Sequence, residues 1–244
     1  MSLIINIDTA VEKASVCIAH ERNIIGIKSN FSQKDHAAWI HVAIQEICKE
    51  QNLTLNKVAA IAVSAGPGSY TGLRVGMATA KGLCYALNIP FIAVGTLKMM
   101  AFAATQSSEI REPQNLNTQL TYQPISLSNL LLCPMIDARR KEVFTAVYNT
   151  ELTELLPPQN LILGPETFHH FLKDHSLFFF GNGSIKFRNL INHENAHFLV
   201  MEADARHLAN LSYDYWLQGK FSDTAYSEPF YGKDFYFPPS KPPE

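Results

Sequence analysis

The sequence predicts an α/β protein with two lobes, and three observations support this fold class. Short apolar runs alternate with helical patterns along the chain, which is typical of sheets covered by helices. The 244 residues, 47% of them hydrophobic, can form one or two cores and lie at the length where a single domain tends to split. An Ile-Asp turn between two strands occurs once in each half, at Ile7-Asp8 and Ile136-Asp137, as a duplicated fold requires.

The chain begins with a predicted three-stranded meander and a helix. Leu3 to Ile7, Ala14 to Ala19 and Asn23 to Lys28 are short apolar runs bounded by polar residues, which indicates strands. The segment from Asp35 to Glu50 has isoleucines at helical spacing and is predicted to be a helix. Its apolar face is wider than one contact with a sheet requires, because Trp39 extends it. Trp39 could therefore belong to the core or to a subunit interface.

The next stretch predicts a central strand, a tight turn and a helix. Val58 to Ser64 is apolar without alternation, which suits a strand covered on both faces. Two glycines and a proline turn the chain at 65–69, and Ser69 or Thr71 can cap a helix from Gly72 to Leu87. This turn is either a plain strand-to-helix connection or a phosphate-binding loop, since glycine-rich helix N-termini bind anions but the Walker lysine is absent.

Two rows of small residues run along this helix at intervals of four. A glycine destabilises a helix by about 1 kcal/mol relative to alanine, so we expect each row to allow close approach of a neighbouring backbone. One row could face the sheet and the other a second helix, including a helix of another chain. The first row is Gly72, Gly76 and Ala80, and the second is Ala78, Gly82 and Ala86.

The second half repeats the opening design. After a predicted strand at Phe91 to Val94 and a helix at Thr96 to Thr105, residues 106–129 turn polar, and we expect a mobile connection between lobes there. Strands are then predicted at Leu130 to Ile136 and Glu142 to Asn149. Further helices are predicted at Glu166–Lys173, Ser184–Ile191 and Ala203–Gln218, and further strands at Leu177–Phe180 and Phe198–Val200.

The tail from Tyr226 to Glu244 contains six aromatic residues and five prolines, so it cannot be helical. An extended aromatic segment either straps over its own fold or docks in the groove of a partner. The predicted organisation therefore has four parts: an N-terminal lobe at 1–105, a connection at 106–129, a C-terminal lobe at 130–225 and the tail at 226–244.

Composition and charge restrict the classes of function. The net charge of −2 and the pI near 6.5 do not attract a phosphate backbone, so a free-standing tRNA binder is not expected, although a local basic patch remains open. The four cysteines form no CxxC pair, which indicates buried thiols in the cytosol. The first apolar run is too short for a signal peptide and no stretch is long enough to span a membrane, so a cytoplasmic location is predicted.

One motif favours a different chemistry. Residues 193–197 read His-Glu-Asn-Ala-His, which fits the zinc-protease pattern H-E-x-x-H. That pattern needs a stable helix and a third ligand, whereas asparagines crowd this segment and a predicted strand follows it. We interpret the motif as a polar loop and predict no metal site there.

Two longer motifs carry a specific resemblance. The run GPGSYTGLRVGMATAKGL at 66–83, with IPFIAVGTL after it, and the run IDARRKEVFTAVY at 136–148 resemble the two signatures of the bacterial TsaB (YeaZ) family. The resemblance implies the two-lobed actin-like ATPase fold of sugar kinases, Hsp70 and actin, with duplicated mixed sheets flanked by helices. It also implies a part in making N6-threonylcarbamoyladenosine next to the tRNA anticodon, as a non-catalytic paralogue of the enzyme TsaD.

The same resemblance implies partners and an interface. It predicts a subunit without catalytic residues, cofactor or metal, which dimerises in isolation, scaffolds a TsaD-like catalytic subunit and a TsaE-like ATPase, and meets tRNA only through the complex. Family dimers pack the two helices described above against their counterparts. The interface residues expected on this basis are Trp39, Ile40, Ile44, Gly72, Arg74, Gly76, Met77 and Ala80.

The nucleotide cleft of the fold is expected to be vestigial here. Asp8 and Asp137 stand at the two turns that hold phosphates and metal in actin-like ATPases, but side chains follow them where glycines should stand. Gly181 and Gly183 could form an adenine-side turn or a plain strand-to-helix turn. The run at 231–233 reads Tyr-Gly-Lys, whereas the family often has Tyr-Leu-Arg near this point.

The resemblance also predicts that the metal of the sister enzyme is missing. Thr96 and Met100 occupy the positions of the histidine pair that binds the metal in TsaD, and neither side chain ligates a divalent ion as imidazole does. The alternative function is an independent actin-fold phosphotransferase or ATPase, or a metalloprotease-like enzyme. A contact with tRNA or nucleotide remains an open role for Arg74, Arg139 and Arg140.

Overall fold

A computed structural model of the chain describes residues 2–32, 35–111 and 129–233. Two five-stranded mixed sheets with helices packed on them form the described structure, which confirms the predicted α/β class with two lobes. The strands are β1 (Leu3–Asp8), β2 (Ala14–His20), β3 (Asn23–Asn30), β4 (Val58–Ser64), β5 (Phe91–Val94), β6 (Leu130–Asp137), β7 (Glu142–Asn149), β8 (Glu154–Ile162), β9 (Ser176–Phe180) and β10 (Ala196–Phe198). The helices are α1 (His36–Glu50), α2 (Tyr70–Leu87), α3 (Thr96–Thr105), α4 (Ser108–Arg111), α5 (His169–Leu172), α6 (Ser184–Arg188) and α7 (Ala205–Leu217).

The two sheets have the same topology. The first has the strand order β3-β2-β1-β4-β5, in which β1 pairs antiparallel with β2 and parallel with β4. The second has the order β10-β9-β6-β7-β8, and β6 pairs antiparallel with β7 and parallel with β9. The Ile-Asp turns after β1 and β6 therefore occupy equivalent places, which confirms the duplication predicted from the sequence.

Helices cover both faces of the first sheet. β4 lies in the middle of this sheet with nearly all of its residues buried, as its unbroken apolar run predicts. Side chains alternate between the faces, so Ile61 and Val63 pack with α1 and α2, whereas Ala60 and Ala62 pack with α3 and α7. None of the described helices is both long and apolar enough to cross a membrane.

Helix α3 lies between the two sheets and joins the lobes. Its Met99 packs with the first sheet, and its Leu97 and Met100 pack with β6 and β7 of the second. Helix α7 also packs on the first sheet, where Leu208 and Leu211 contribute to the core. The 130–225 range predicted for the second lobe thus includes a helix whose contacts are with the first sheet.

Most of the residues expected at an interface on α1 and α2 are buried within the subunit. The row of Gly72, Gly76 and Ala80 faces β1 and its turn, because a Cβ on either glycine would overlap with Thr9. The residues now placed inside the subunit are Ile40, Ile44, Gly72, Gly76, Met77 and Ala80, whereas Trp39 is half-buried and Arg74 is exposed. In the isolated subunit these six positions are covered by the chain's own atoms, and of the eight expected positions Arg74 and the half-buried Trp39 reach the surface.

Several predicted elements differ from those observed. Strand β8 was not predicted because Pro157 and Pro158 interrupt its pattern, but β8 is an edge strand, where proline is tolerated. Helices α5 and α6 are shorter than predicted. The strand expected at Phe198–Val200 instead ends at Phe198. The mobile connection predicted at 106–129 lies mainly outside the described residues, which resume at 129 after the short helix α4.

The described part of the tail crosses both lobes as a strap. The Phe230 backbone amide donates to the Ala65 carbonyl (2.8 Å), and Lys233 Nζ lies 2.5 Å from Glu142 Oε2 in the second lobe. Between them Gly232, with φ +65°, packs against Phe144 and Pro67, so that a Cβ at this position would be strained and would press on the Phe144 ring. Up to residue 233 the tail therefore follows its own fold, the first of the two courses that its sequence left open.

Candidate functional site

Asp8, the last residue of β1, stands at the centre of the cleft between the lobes. Its side chain is fully buried, and its Oδ1 accepts hydrogen bonds from the Ser64 hydroxyl (2.6 Å) and the Ala10 backbone amide (3.1 Å). Its Oδ2 has no hydrogen-bond partner among residues 2–32, 35–111 and 129–233. Burial raises the pKa of Asp8 to about 6 and outweighs the two hydrogen bonds, which lower it.

A cavity of about 230 Å³ opens beside Asp8. Its wall comes from the β1–β2 turn, the segment after β3, helix α3, the turn after β9 and the segment before α7, so both lobes contribute. Most of the exposed wall is apolar. The apolar lining residues are Val11, Phe31, Met99, Met100, Met201 and Ala203.

The charged residues in the cavity wall are mostly acidic. Glu12, Lys13 and Glu202 line it together with Asp8. Lys13 Nζ lies 3.0 Å from Glu202 Oε2 and 3.9 Å from Asp204 Oδ2, so its charge is already balanced. The wall therefore carries an excess of carboxylates, which repel phosphate unless a cation lies between them.

The glycine-rich turn at 65–69 connects β4 to α2 and packs against the turn after β1. Gly68 lies so close to the Ala10 carbonyl that a Cβ would overlap with it, and the Ser69 amide donates to the same carbonyl (2.7 Å). The Ser69 hydroxyl in turn accepts from the Gly72 amide (3.3 Å) at the start of α2. Oxygen atoms of the chain itself thus accept from the Ser69 and Gly72 amides at this helix N-terminus, which favours the plain strand-to-helix connection.

The second Ile-Asp turn holds its carboxylate in an ion pair. Asp137 Oδ1 lies 2.6 Å from Lys186 Nζ and accepts from the Arg139 amide (2.6 Å). Burial raises the pKa of Asp137, but Lys186 and the Arg139 amide outweigh it, so the pKa lies below the ordinary value. Asp137 is exposed, in contrast to Asp8.

The turn after β9 brings the predicted glycines to the same cleft. The Asp137 backbone amide donates to Asn182 Oδ1 (2.9 Å), which joins this turn to the second Ile-Asp turn. Gly181 has φ +89° and lines the cavity, while Gly183 packs directly on the backbone of Ile136. Gly181 and Asp8 therefore share one cavity wall, and Gly183 has a packing role.

Thr96 and Met100, which the family resemblance aligns with a metal-binding histidine pair, make other contacts here. The Thr96 hydroxyl accepts from the Gly66 amide (3.0 Å), and Met100 packs against Gly181 at the cavity wall. Within the described part of the chain, no group of three or more His, Cys, Asp or Glu side chains is placed to hold a metal ion.

The H-E-x-x-H motif does not form a helix. Its Ala196 begins β10, and His197 is buried and stacks on Phe178 with ring centroids 4.7 Å apart. Burial lowers the pKa of His197. His193 Nδ1 accepts from the Asn195 amide (3.1 Å) in the preceding turn. The motif is thus a loop that leads into a strand, and it lacks the single helix face that a zinc-protease motif needs.

Helices α1 and α2 lie side by side and present a second candidate site on the outside of the first lobe. A Cβ on Gly82 would meet no atom within 4 Å, and Tyr85 is 87% exposed. Val42 of α1 is also largely exposed. We refer to this surface as the α1–α2 face, formed by Val42, Arg74, Ala78, Gly82, Tyr85 and Ala86.

Arg74 connects the α1–α2 face to the tail. Its guanidinium carbon lies 4.2 Å from the centre of the Tyr70 ring, and its Nε donates to the Tyr231 hydroxyl (2.9 Å). The Tyr70 and Tyr231 rings are themselves 4.9 Å apart. These contacts fix the strap beside the start of α2.

Sequence reasoning identified Asp8 and Gly181 but missed most of the cavity wall. Met99, Met201 and Ala203 come from distant parts of the chain, and no local pattern marks them as neighbours of Asp8. The Lys13–Glu202 pair joins residues 189 positions apart in the sequence, so no local pattern could predict this contact either.

Comparisons with known proteins agree with the motifs. A family model described as TsaD, tRNA N6-adenosine threonylcarbamoyltransferase, matches residues 12–157. The chain is 26% identical over 191 residues to the TsaB protein of Bacillus subtilis, covering 77% of this chain and 74% of that protein. It is 33% identical over 138 residues to TsaB of Haemophilus influenzae, covering 57% of this chain and 50% of that protein. Both are named tRNA threonylcarbamoyladenosine biosynthesis proteins.

A solved structure confirms the fold. A Pseudomonas aeruginosa protein, described as uncharacterized with similarity to peptidase YeaZ, superposes with a TM-score of 0.74 and 23% identity. The match covers 96% of this chain and all of that one. Together with the duplicated sheets, these comparisons confirm the predicted two-lobed actin-like fold.

Proposed function

The chain belongs to the TsaB (YeaZ) family, and from this premise we propose that it acts in tRNA threonylcarbamoyladenosine biosynthesis as a non-catalytic subunit that scaffolds a TsaD-like enzyme. Its working surface in this proposal is the α1–α2 face, and its cleft does not perform the reaction.

The observation that carries the proposal is the exposed glycine at position 82. The glycine at position 76 on the same helix is explained by Thr9, whose atoms leave no room for a Cβ. No atom among the described residues takes up the space beside Gly82. A glycine destabilises a helix by about 1 kcal/mol relative to alanine. Close packing of a partner helix against Gly82 explains why a glycine stands at this position.

The resemblance to the sister enzyme favours a TsaD-like chain as the occupant of this face. A family model for that enzyme matches the first lobe from residue 12 onwards, including α1 and α2. Twofold dimers use the same patch on both subunits, so a paralogue can replace one copy and keep the packing. The same argument predicts a self-dimer when the chain is isolated.

The cleft supports the non-catalytic part of the proposal. Thr96 and Met100 stand where the enzyme resemblance requires a metal-binding pair, and the Thr96 hydroxyl already accepts a backbone hydrogen bond. The acidic cavity wall does not favour a triphosphate. Because its net charge is −2, the chain is not expected to bind tRNA by itself, and it meets tRNA through the complex with the TsaD-like enzyme. A TsaE-like ATPase completes this complex.

The test is a reconstituted modification assay. tRNA, threonine, bicarbonate and ATP are incubated with the TsaD-like and TsaE-like partners, with and without this chain. We expect modified tRNA only when the chain is present, and no ATP turnover or peptide cleavage by the isolated chain. Full modification without the chain would contradict the proposal, and ATP turnover by the isolated chain would favour the phosphotransferase alternative.

A further inference from the structure

We propose that the cavity between the lobes is a binding site for a small organic cation, a primary ammonium group on a compact apolar body, which the Asp8 carboxylate holds. The proposal does not depend on the α1–α2 face or on the function proposed above.

The first argument is the free oxygen of a fully buried carboxylate. Asp8 Oδ1 accepts from Ser64 and Ala10, whereas Oδ2 has no partner in the part of the chain that the structure describes. Buried polar atoms are nearly always hydrogen-bonded, and an exception needs an explanation. An ammonium group supplies both a donor and the opposite charge, which makes it a stronger partner for Oδ2 than a neutral donor.

The second argument is the sign of the charge in the cavity wall. Asp8, Glu12 and Glu202 contribute three carboxylates against one lysine, Lys13, which Glu202 and Asp204 already flank. No unpaired cation in the wall is therefore left to bind an anionic ligand. This distribution favours a cationic ligand and disfavours phosphate.

The third argument is the apolar character of the remaining wall. Hard metal ions prefer six or more oxygen ligands, and the described residues hold no cluster of three or more suitable side chains. Methionines, Phe31 and Ala203 instead surround the space, as suits a hydrocarbon body. A ligand with one charged end and one apolar end matches both parts of the wall.

The size of the cavity limits the ligand. A cavity of about 150 Å³ accepts benzene, and this one is about 230 Å³. Phenethylammonium, a benzene ring with a two-carbon arm and an ammonium group, therefore serves as a probe. Its neutral analogue 2-phenylethanol has the same shape without the charge.

The test is titration calorimetry of the full chain at pH 8 with phenethylammonium chloride, together with thermal unfolding at the same probe concentrations. We expect saturable binding and a rise in Tm with the probe. For 2-phenylethanol, and for the Asp8→Asn variant with the probe, we expect affinity at least about tenfold lower, or about 1.4 kcal/mol. The Asp174→Asn variant makes the same change at an exposed position and should bind like the wild type.

A second variant separates the space from the charge. Ala203→Met keeps Asp8 but fills the cavity that Ala203 lines, so it should lose binding while its unfolding in the absence of the probe stays cooperative. Three results would overturn the proposal: no saturable heat with phenethylammonium, equal affinity for 2-phenylethanol, or unchanged affinity in Asp8→Asn. Retained binding in a folded Ala203→Met variant would place the cation elsewhere and would equally count against it.

Discussion

The hydroxyl group of Thr9 occupies the space that a side chain at Gly76 would need. Thr9 is fully buried at the turn after β1, and its hydroxyl donates to the Gly72 carbonyl (2.7 Å). This contact brings α2 close to the sheet and turns one row of small residues inward. The second row on the same helix, around Gly82, faces outward. Helix α2 thus has one glycine packed against the sheet, Gly76, and one glycine exposed on its outer side, Gly82.

Gly76→Ala and Gly82→Ala should therefore change stability in opposite directions. At position 76 the added methyl group overlaps with Thr9, and we expect the free energy of unfolding to fall by about 1–3 kcal/mol. At position 82 the space is open and alanine is the better helix former, so we expect a gain of up to about 1 kcal/mol. Urea denaturation of both variants measures the difference. Equal losses at both positions would show that the outward row is packed in solution.

A large side chain on the α1–α2 face should abolish association without unfolding the subunit. Gly82→Trp places a bulky ring where a partner helix would pack, whereas the monomer has room for it. Pull-down with the TsaD-like partner, and sedimentation of the isolated chain, report association. Val200→Trp, at a residue 93% exposed after β10, is the matched control and should associate normally. Undiminished association of Gly82→Trp would remove this face from the proposal.

The buried carboxylate of Asp8 predicts a distinctive pH dependence. Its pKa is about 6 in the folded chain and near the ordinary 3.8 when unfolded, so the folded state binds the proton more tightly. The resulting stabilisation is present below about pH 4 and is lost as pH rises through about 6. The difference between these two pKa values corresponds to roughly 3 kcal/mol in the free energy of unfolding.

Asp8→Asn isolates this contribution from the other titrating groups. We expect the variant to gain stability relative to the wild type as pH increases from 4 to 8, by up to about 3 kcal/mol, because it removes the buried charge. Unfolding in urea at several pH values, without added amines, gives the difference curve. Asp174→Asn should give a flat curve. A variant that loses stability relative to the wild type as pH rises would mean that ionised Asp8 is stabilising.

Replacement of Tyr231 by alanine should weaken the attachment of the strap to the start of α2. Tyr231→Ala deletes the ring beside Tyr70 and the hydroxyl that accepts from Arg74. We therefore expect the free energy of unfolding to fall by about 1–2 kcal/mol. Limited proteolysis should then cut the 221–233 segment faster than in the wild type. Tyr226→Ala changes a tyrosine 85% exposed in the same segment and should leave the cleavage rate unchanged. Equal cleavage of the two variants would mean that the Arg74 contacts do not hold the strap.

Local sequence patterns were sufficient to predict an element where other elements cover both of its sides. Val58–Ser64, Phe91–Val94 and Thr96–Thr105 were predicted with the limits observed, because strands or helices covered on both sides have apolar residues throughout. β8 was missed because an edge strand tolerates prolines that would exclude a central one. The sequence did not show which small row of α2 faces the sheet, because both rows fit the same pattern and only the packing of Thr9 distinguishes them.

The sequence by itself determined the two mixed sheets, their duplication and the family, because apolar periodicity, turn residues and two long motifs are local properties. Tertiary structure alone decided which row of α2 faces outward, which sheet α7 covers and which side chains surround Asp8. These outcomes depend on contacts between residues far apart in the chain. Which residues become neighbours depends on how the two lobes pack, and this cannot be read from any single segment of the sequence.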